Sequence, residues 1–206
     1  MSDRRKHWQT VYETKPTDQV SWYQPLPSPS LDALARLQAT PNRSLIDIGG
    51  GASSLAAELL RAGWSDLAVL DISDAALSHA RAALGADAGN VDWICANITA
   101  WHPKRTFDIW HDRAVFHFLT EHAERAVYKS ALLDGLAQGG LMLIATFAKD
   151  GPEKCSGLPV RQYGADDLTQ EFGASLSLIE SWRETHLTPS GAAQAFTWCA
   201  FRKETT

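Results

Sequence analysis

Short apolar runs, each closed by an acid, a glycine or a polar step, recur along the chain from residue 45 onward. They are Leu45-Ile46 with Ile48, Leu67-Ala68-Val69-Leu70, residues 91–96, residues 107–111 and Leu141-Met142-Leu143-Ile144-Ala145-Thr146-Phe147. Such runs read as buried strands. Between them lie segments with helical composition: the Ala- and Leu-rich residues 52–62, an alanine-rich stretch capped by Ser73 or Asp74 and running to about residue 84, and residues 121–137. A short helix is expected around residues 166–172. Strands alternating with helices imply a parallel sheet covered by helices on both faces, joined by right-handed crossovers. The last two strand patterns, 176–184 and 195–202, flank the turn Pro189-Ser190-Gly191 with no helix between them. They should pair as an antiparallel hairpin at one edge of the sheet.

Residues 1–30 differ from the rest. They carry Trp8, Tyr12, Trp22 and Tyr23, followed by Pro25, Pro27 and Pro29, a stiff run that does not belong inside a helix. Four large aromatics in an arm ahead of a domain need a surface to pack on. Two readings stand. The aromatics staple the arm to the domain, or they close over a ligand cleft as a lid and line its substrate pocket. Next comes an amphipathic helix over residues 31–39, with Leu31, Leu34 and Leu37 on one face, Ser30 as N-cap and Pro41 at the exit. The chain thus reads as an aromatic N-terminal arm, 1–30, and a single domain, 31–206.

Composition narrows the class. With 206 residues, 45% hydrophobic and 21% charged, the chain suits one soluble globular domain with a real core. A net charge of −5 argues against a general nucleic-acid surface, and no apolar run approaches a bilayer span. Three cysteines, Cys95, Cys155 and Cys199, form neither a disulfide framework nor a metal knuckle. No secretory signal is visible at the start, so the expected setting is cytoplasmic. The histidines and acids match no metal-ligand spacing, and no metal is expected.

The chemistry centres on Asp47-Ile48-Gly49-Gly50-Gly51. Glycines between a strand and a helix let the backbone turn tightly and approach a ligand, and the helix N-terminus beyond offers unpaired N–H groups. Asp71, twenty residues after Gly51 at the end of the second strand, stands where an acid accepts from ribose hydroxyls. Asp47 lies just before the glycines, where a carboxylate suits a cationic ligand better than a pyrophosphate. A nicotinamide-dependent reductase is the competing reading, although the turn has Ser54 where that fingerprint asks for glycine or alanine.

These residues resemble motif I of the class I S-adenosylmethionine-dependent methyltransferases. The likeness continues through Val69-Leu70-Asp71-Ile72, Cys95-Ala96-Asn97-Ile98, Phe107-Asp108-Ile109-Trp110-His111-Asp112 and Gly139-Gly140-Leu141, in order. It implies a Rossmann-like α/β sheet, mostly parallel with the antiparallel edge hairpin, and S-adenosyl-L-methionine as cofactor. The start, His7-Trp8-Gln9-Thr10-Val11-Tyr12 with Ser21-Trp22-Tyr23, is similar to a small subgroup that includes citrate-synthase and elongation-factor lysine methyltransferases. By this resemblance Asp47 orients the amino end of the cofactor, Gly49 and Gly51 let it approach, and Asp71 holds its ribose. Ile72 packs on the adenine, and Asn97 and the Ile98 N–H receive the adenine edge. Asparagine stands here where the family often has aspartate.

The resemblance puts the acceptor side at the end of the fourth strand. Here it reads His111-Asp112-Arg113-Ala114-Val115-Phe116-His117-Phe118. His111 and His117 are candidate proton acceptors, with a satisfied core histidine as the other reading of His117. Asp112 is a candidate contact to the methionine end of the cofactor. Arg113 either binds a substrate carboxylate or pairs with Asp112. Cys155, in the loop after the fifth strand, is a candidate pocket thiol with Lys154 and Arg161 expected to lower its pKa. Cys95, Cys199, Trp93, Trp110 and Trp198 are expected in the core. The function expected is methyl transfer to a small molecule or an exposed protein side chain, at nitrogen, sulfur or oxygen. The alternatives are the reductase and a non-catalytic subunit of the same fold.

Overall fold

A computed structural model describes residues 3–204. The strands are β1 (Leu45–Ile48), β2 (Leu67–Asp71), β3 (Val91–Cys95), β4 (Phe107–Arg113), β5 (Leu136–Phe147), β8 (Leu176–Leu187) and β9 (Ala193–Lys203), with a two-residue pair β6 (Lys154–Cys155) and β7 (Leu158–Pro159). The helices are α1 (Asp3–Thr14), α2 (Ser28–Arg36), α3 (Leu55–Arg61), α4 (Asp74–Leu84), α5 (His122–Gly135) and α6 (Ala165–Phe172). The main sheet runs β3-β2-β1-β4-β5-β9-β8. All neighbours are parallel except β9, which is antiparallel to both β5 and β8. This is the expected α/β architecture with its antiparallel edge hairpin.

The two-residue period of the strands sorts side chains into two cores. Leu45, Val69, Ile109, Leu143 and Trp198 pack with Leu34 of α2 and Leu59 of α3 on one face. Ile46, Leu70, Trp110, Ile144 and Phe201 pack with Leu132 of α5 and Phe172 of α6 on the other. The same period decides the site. Asp47 lies opposite His111 and Ile48 opposite Asp112 in the β1–β4 ladder, so neighbouring residues of β4 look in opposite directions. Strand order reverses at β1, which has β2 on one side and β4 on the other. A cleft therefore opens beyond the carboxyl ends of these strands.

Several boundaries move for identifiable reasons. The helix after the glycines starts at Leu55, because Ser53 N–H bonds the Gly50 carbonyl and Ser53 Oγ accepts from Leu55 N–H, extending the turn. Helix α2 starts at Ser28, not after Ser30, since Pro29 sits in the first turn, where a missing N–H costs nothing. Ser30 is therefore inside the helix and is not its N-cap. Helix α5 ends at Gly135 and β5 begins at once, ahead of the glycine pair. β3 is an edge strand, so Trp93 is half-buried and Cys95 exposed rather than core. Trp93 instead donates its indole N–H to the Ala88 carbonyl at 2.9 Å beneath the Arg81 guanidinium. Trp110, Trp198 and Cys199 are fully buried.

The arm is packed on the domain. Its first half is α1, with Gln9 Oε1 accepting from Ser73 Oγ and Ala75 N–H at the start of α4. The Tyr12 carbonyl lies 2.9 Å from His79 Nε2, and Arg4 pairs with Glu124 of α5 at 2.8 Å. No helix among the described residues is long and apolar enough to cross a membrane.

Candidate active site

Two cavities meet over the carboxyl end of β1. The first, about 760 Å³ and open to solvent, lies over β1, β2 and β3 and is lined by Gly49, Asp71, Ile72, Asn97 and Ile98. Its far wall is aromatic. Trp8, Tyr12 and Trp22 of the arm face Phe118, with Trp8 edge-on to Trp22 at 5.4 Å and to Phe118 at 5.1 Å. The second, about 600 Å³, lies over β1 and β4 and is lined by Asp47, Gly50, Ser53, His111, Ser30 and Tyr23. Tyr12, Trp22, Gly49 and Arg113 line both.

The glycine turn is bare toward its acids. Gly49 has φ +70°, a left-handed conformation. A Cβ on Gly50 would come within 2.2 Å of Asp47 Oδ2, and one on Gly51 within 2.4 Å of Asp71 Oδ2. The glycines thus let both carboxylates close on the backbone. Gly51 itself lies behind Asp71 rather than on the cavity wall.

Asp71 is buried and accepts from Ser73 N–H at 2.8 Å. Burial pushes its pKa up to about 7; the Ser73, Gly51 and Ile72 N–H groups oppose that shift and the nearby Asp47 adds to it. Asn97 Oδ1 accepts from Thr99 N–H at 3.1 Å and so caps the turn at the end of β3 while lining the cavity. Asp47 Oδ1 lies 2.7 Å from His111 Nδ1, and His111 Nε2 lies 2.9 Å from Ser30 Oγ. Both ring nitrogens of His111 are occupied within the protein.

Two residues of β4 and one just beyond it differ from the readings the sequence suggested. Asp112 points away from the cavities into the opposite core, where it accepts from Val115 N–H, Phe116 N–H and Tyr128 Oη. Burial raises its pKa to about 6 against the pull of those donors. Arg113 cannot reach Asp112, because successive strand residues face opposite sides; it faces Glu184 of β8 at 3.5 Å instead. His117 is fully buried. Its Nδ1 accepts from Phe147 N–H at 3.2 Å, and burial, aided by the Arg113 charge, lowers its pKa to about 3. It is a neutral core histidine whose Nε2 is buried without a hydrogen-bond partner among the described residues, and its lowered pKa makes it a poor proton acceptor.

Cys155 does line the first cavity, but burial pushes its thiol up to about 11, opposite to the expected lowering. Its Arg113 neighbour opposes that shift without cancelling it. At pH 8, iodoacetamide is therefore expected to modify Cys95 and to spare Cys155 and Cys199, as peptide mapping would reveal; rapid alkylation of Cys155 would contradict its burial. Sequence reasoning missed Ser30, read as a cap, and Glu184, and it assigned no role to Phe118 within the stretch 111–118. Glu184 approaches only through chain folding, and no local pattern marks it.

Residues 45–140 match the family model described as a methyltransferase domain. Over these residues the chain is a methyltransferase domain, and its fold is that of S-adenosylmethionine-dependent methyltransferases. The family match favours neither the reductase nor the non-catalytic reading. Among curated proteins, the methyltransferase domain is similar to a trans-aconitate 2-methyltransferase of Rhizobium rhizogenes, 32% identical over 118 residues, 56% of this chain and 43% of that protein. The matched segment thus spans less than half of that relative's length. It is also similar to a trans-aconitate 2-methyltransferase of Yersinia pseudotuberculosis, 24% identical over 81% of this chain and 70% of that protein. Among solved structures, the fold is that of the 1,6-didemethyltoxoflavin-N1-methyltransferase of Burkholderia thailandensis, with TM-score 0.75, 18% identity, and 98% and 88% of the two chains covered. That structure holds S-adenosylhomocysteine. The cofactor of this family is S-adenosylmethionine.

Proposed function

We propose that this chain transfers the methyl group of S-adenosylmethionine to a small carboxylic acid in the cytoplasm. The convergence of the bare glycine turn, Asp71 and the Asn97-Ile98 segment on one cavity carries the cofactor half of this reading. Asp71 accepts from the ribose hydroxyls, Ile72 packs on the adenine, and Asn97 and the Ile98 N–H receive its edge. Gly49 lets the chain approach, Gly51 leaves room for the Asp71 carboxylate, and Asp47 in the adjoining cavity faces the amino end. Bound there, S-adenosylmethionine supplies an electrophilic methyl whose C–S bond breaks as the acceptor bond forms, the electron pair leaving on sulfur.

Arg113 carries the acceptor half. It lines both cavities, so it stands beside the junction that any transfer must cross. Its Nη1 donates to the Trp22 carbonyl at 3.3 Å and Nη2 faces Glu184 Oε1 at 3.5 Å, while Nε is buried without a hydrogen-bond partner among the described residues. Glu184, its ion-pair partner, is itself held by Gln24 and Trp198. A guanidinium with spare donors suits a carboxylate. An acceptor that arrives as an anion also needs no general base, which fits a site where both ring nitrogens of His111 are engaged and burial makes His117 a weak base. Trans-aconitate, named in both curated relatives, belongs to this class of acceptor. The aromatic wall of Trp8, Tyr12, Trp22 and Tyr23 excludes water and holds the acceptor's apolar body.

Calorimetry with S-adenosylmethionine and S-adenosylhomocysteine tests the cofactor half, and no heat with either would end it. Turnover on a panel of small acids and their primary amides tests the acceptor half. Arg113→Gln is expected to raise the acceptor KM about 10- to 100-fold, the loss of one charge-assisted pairing, while the S-adenosylhomocysteine Kd stays within about threefold. Equal turnover of acids and amides would remove Arg113 from this role.

A further inference from the structure

The connectivity of Asp47, His111 and Ser30 is that of an acid, an imidazole and a hydroxyl in series, built from β1, β4 and α2. Such a series serves nucleophilic catalysis when the hydroxyl is open to substrate. Here it is closed. Ser30 is 1% exposed, His111 2% and Asp47 4%, and Ser30 sits in the first turn of α2 with its N–H bonded to the Pro27 carbonyl. What the series does instead is hold an orientation.

An ionised Asp47 only accepts, so it takes the proton-bearing Nδ1 of His111 and leaves Nε2 to accept from the Ser30 hydroxyl. One tautomer and one ring orientation satisfy both contacts. With Oδ1 engaged, Asp47 Oδ2 lies under Gly50 at the glycine turn, where the second cavity begins. The ring centroids of His111 and Trp198 lie 6.1 Å apart, so a fully buried indole bounds one side of the imidazole. Ser30 belongs to the helix that follows the aromatic arm, and arm residues Val20, Trp22, Tyr23 and Gln24 line the same cavity.

We infer that His111 and Ser30 are positioning residues that aim Asp47 at the amino-acid end of the cofactor and tie that aim to the seating of α2 behind the arm. This rests on the cofactor reading above and adds a division of labour to it. Asp71 and the Asn97-Ile98 segment recognise adenosine, whereas the Ser30–His111–Asp47 series recognises the amino-acid end alone.

Two ligands separate these parts. S-adenosylhomocysteine carries both, and 5′-methylthioadenosine carries the adenosine and the sulfur without the amino acid. In the full-length protein, His111→Phe is expected to weaken S-adenosylhomocysteine binding about tenfold or more while the 5′-methylthioadenosine Kd stays within about twofold. Ser30→Ala, a milder change that keeps the helix, should weaken S-adenosylhomocysteine several-fold with the same selectivity. His111→Asn, which returns a donor near the Nδ1 position, should recover part of the loss. Parallel losses for both ligands, or no loss for either in both variants, would overturn the inference and leave the cofactor reading standing. Failure of the wild type to bind either ligand would overturn both.

Discussion

Asp71→Ala is expected to weaken S-adenosylhomocysteine binding by roughly 100-fold or more. Two adjacent ribose hydroxyls donating to one carboxylate make two charge-assisted hydrogen bonds, each worth about 1.5–3 kcal/mol, and part of that gain is offset by the cost of ionising a buried acid. The offset gives the prediction a pH signature. The carboxyl titrates at about 7 in the unliganded fold because it is buried. Hydroxyl donors favour its ionised form, so affinity should rise as pH passes from 6 to 8, and Asp71→Asn should abolish the rise. Stability moves the other way. A pKa raised above the ordinary 3.8 means that the fold prefers the protonated group. Its contribution is full below about pH 4 and is lost as pH rises through about 7. Asp71→Asn should therefore flatten this part of the pH–stability curve of the unliganded protein. Calorimetry and thermal melts across that range check both signs, and a variant Kd within about threefold of the wild type would remove Asp71 from the ribose.

Asp112→Ala is expected to cost about 3–5 kcal/mol of stability, lowering Tm by about 10 °C. Its two oxygens serve Val115 N–H at 2.9 Å, Phe116 N–H at 3.3 Å and Tyr128 Oη at 2.6 Å. Tyr128 Oη also accepts from Trp110 Nε1 at 2.9 Å, so the network joins β4 to α5. Alanine would leave these donors buried without partners, and each such group costs about 1–3 kcal/mol. Asp112→Asn keeps an acceptor oxygen and should cost much less. Because the carboxylate faces away from both cavities, S-adenosylhomocysteine affinity in the folded variant should change less than tenfold. A large affinity loss with an unchanged Tm would return Asp112 to the cofactor.

The contrast between these two acids marks the limit of reading the chain alone. Asp71 follows an apolar run and lies a fixed distance after the glycines, so its place at the tip of β2 is visible in one dimension. Asp112 sits equally close to a strand tip, but its direction depends on which β4 residues face which core. That parity is set by packing across the whole sheet, and a shift of one residue reverses every side chain. The same parity separates His111, on the Asp47 side, from Asp112, and it gives Arg113 to Glu184. Ser30 looked like a cap because it stands just before Leu31, the first of the apolar residues at helical spacing. The preference of Pro29 for the first turn moved the helix start and turned the hydroxyl inward.

By itself the sequence determined the alternation of strands and helices, the parallel sheet with its antiparallel edge, the glycine turn and the two acids on either side of it. These rest on local periodicity and on backbone freedom at Gly49–Gly51, both properties of adjacent residues. Only the tertiary structure decided that the arm's aromatics wall the first cavity, that His117 is neutral core, that burial makes the Cys155 thiol unreactive, and that Ser30 closes a series with His111 and Asp47. Each of these depends on desolvation, or on a partner between 30 and 110 residues away in the chain, as with Trp8 and Phe118 or His117 and Phe147. Burial and distant contacts exist only once the sheet has brought those segments together.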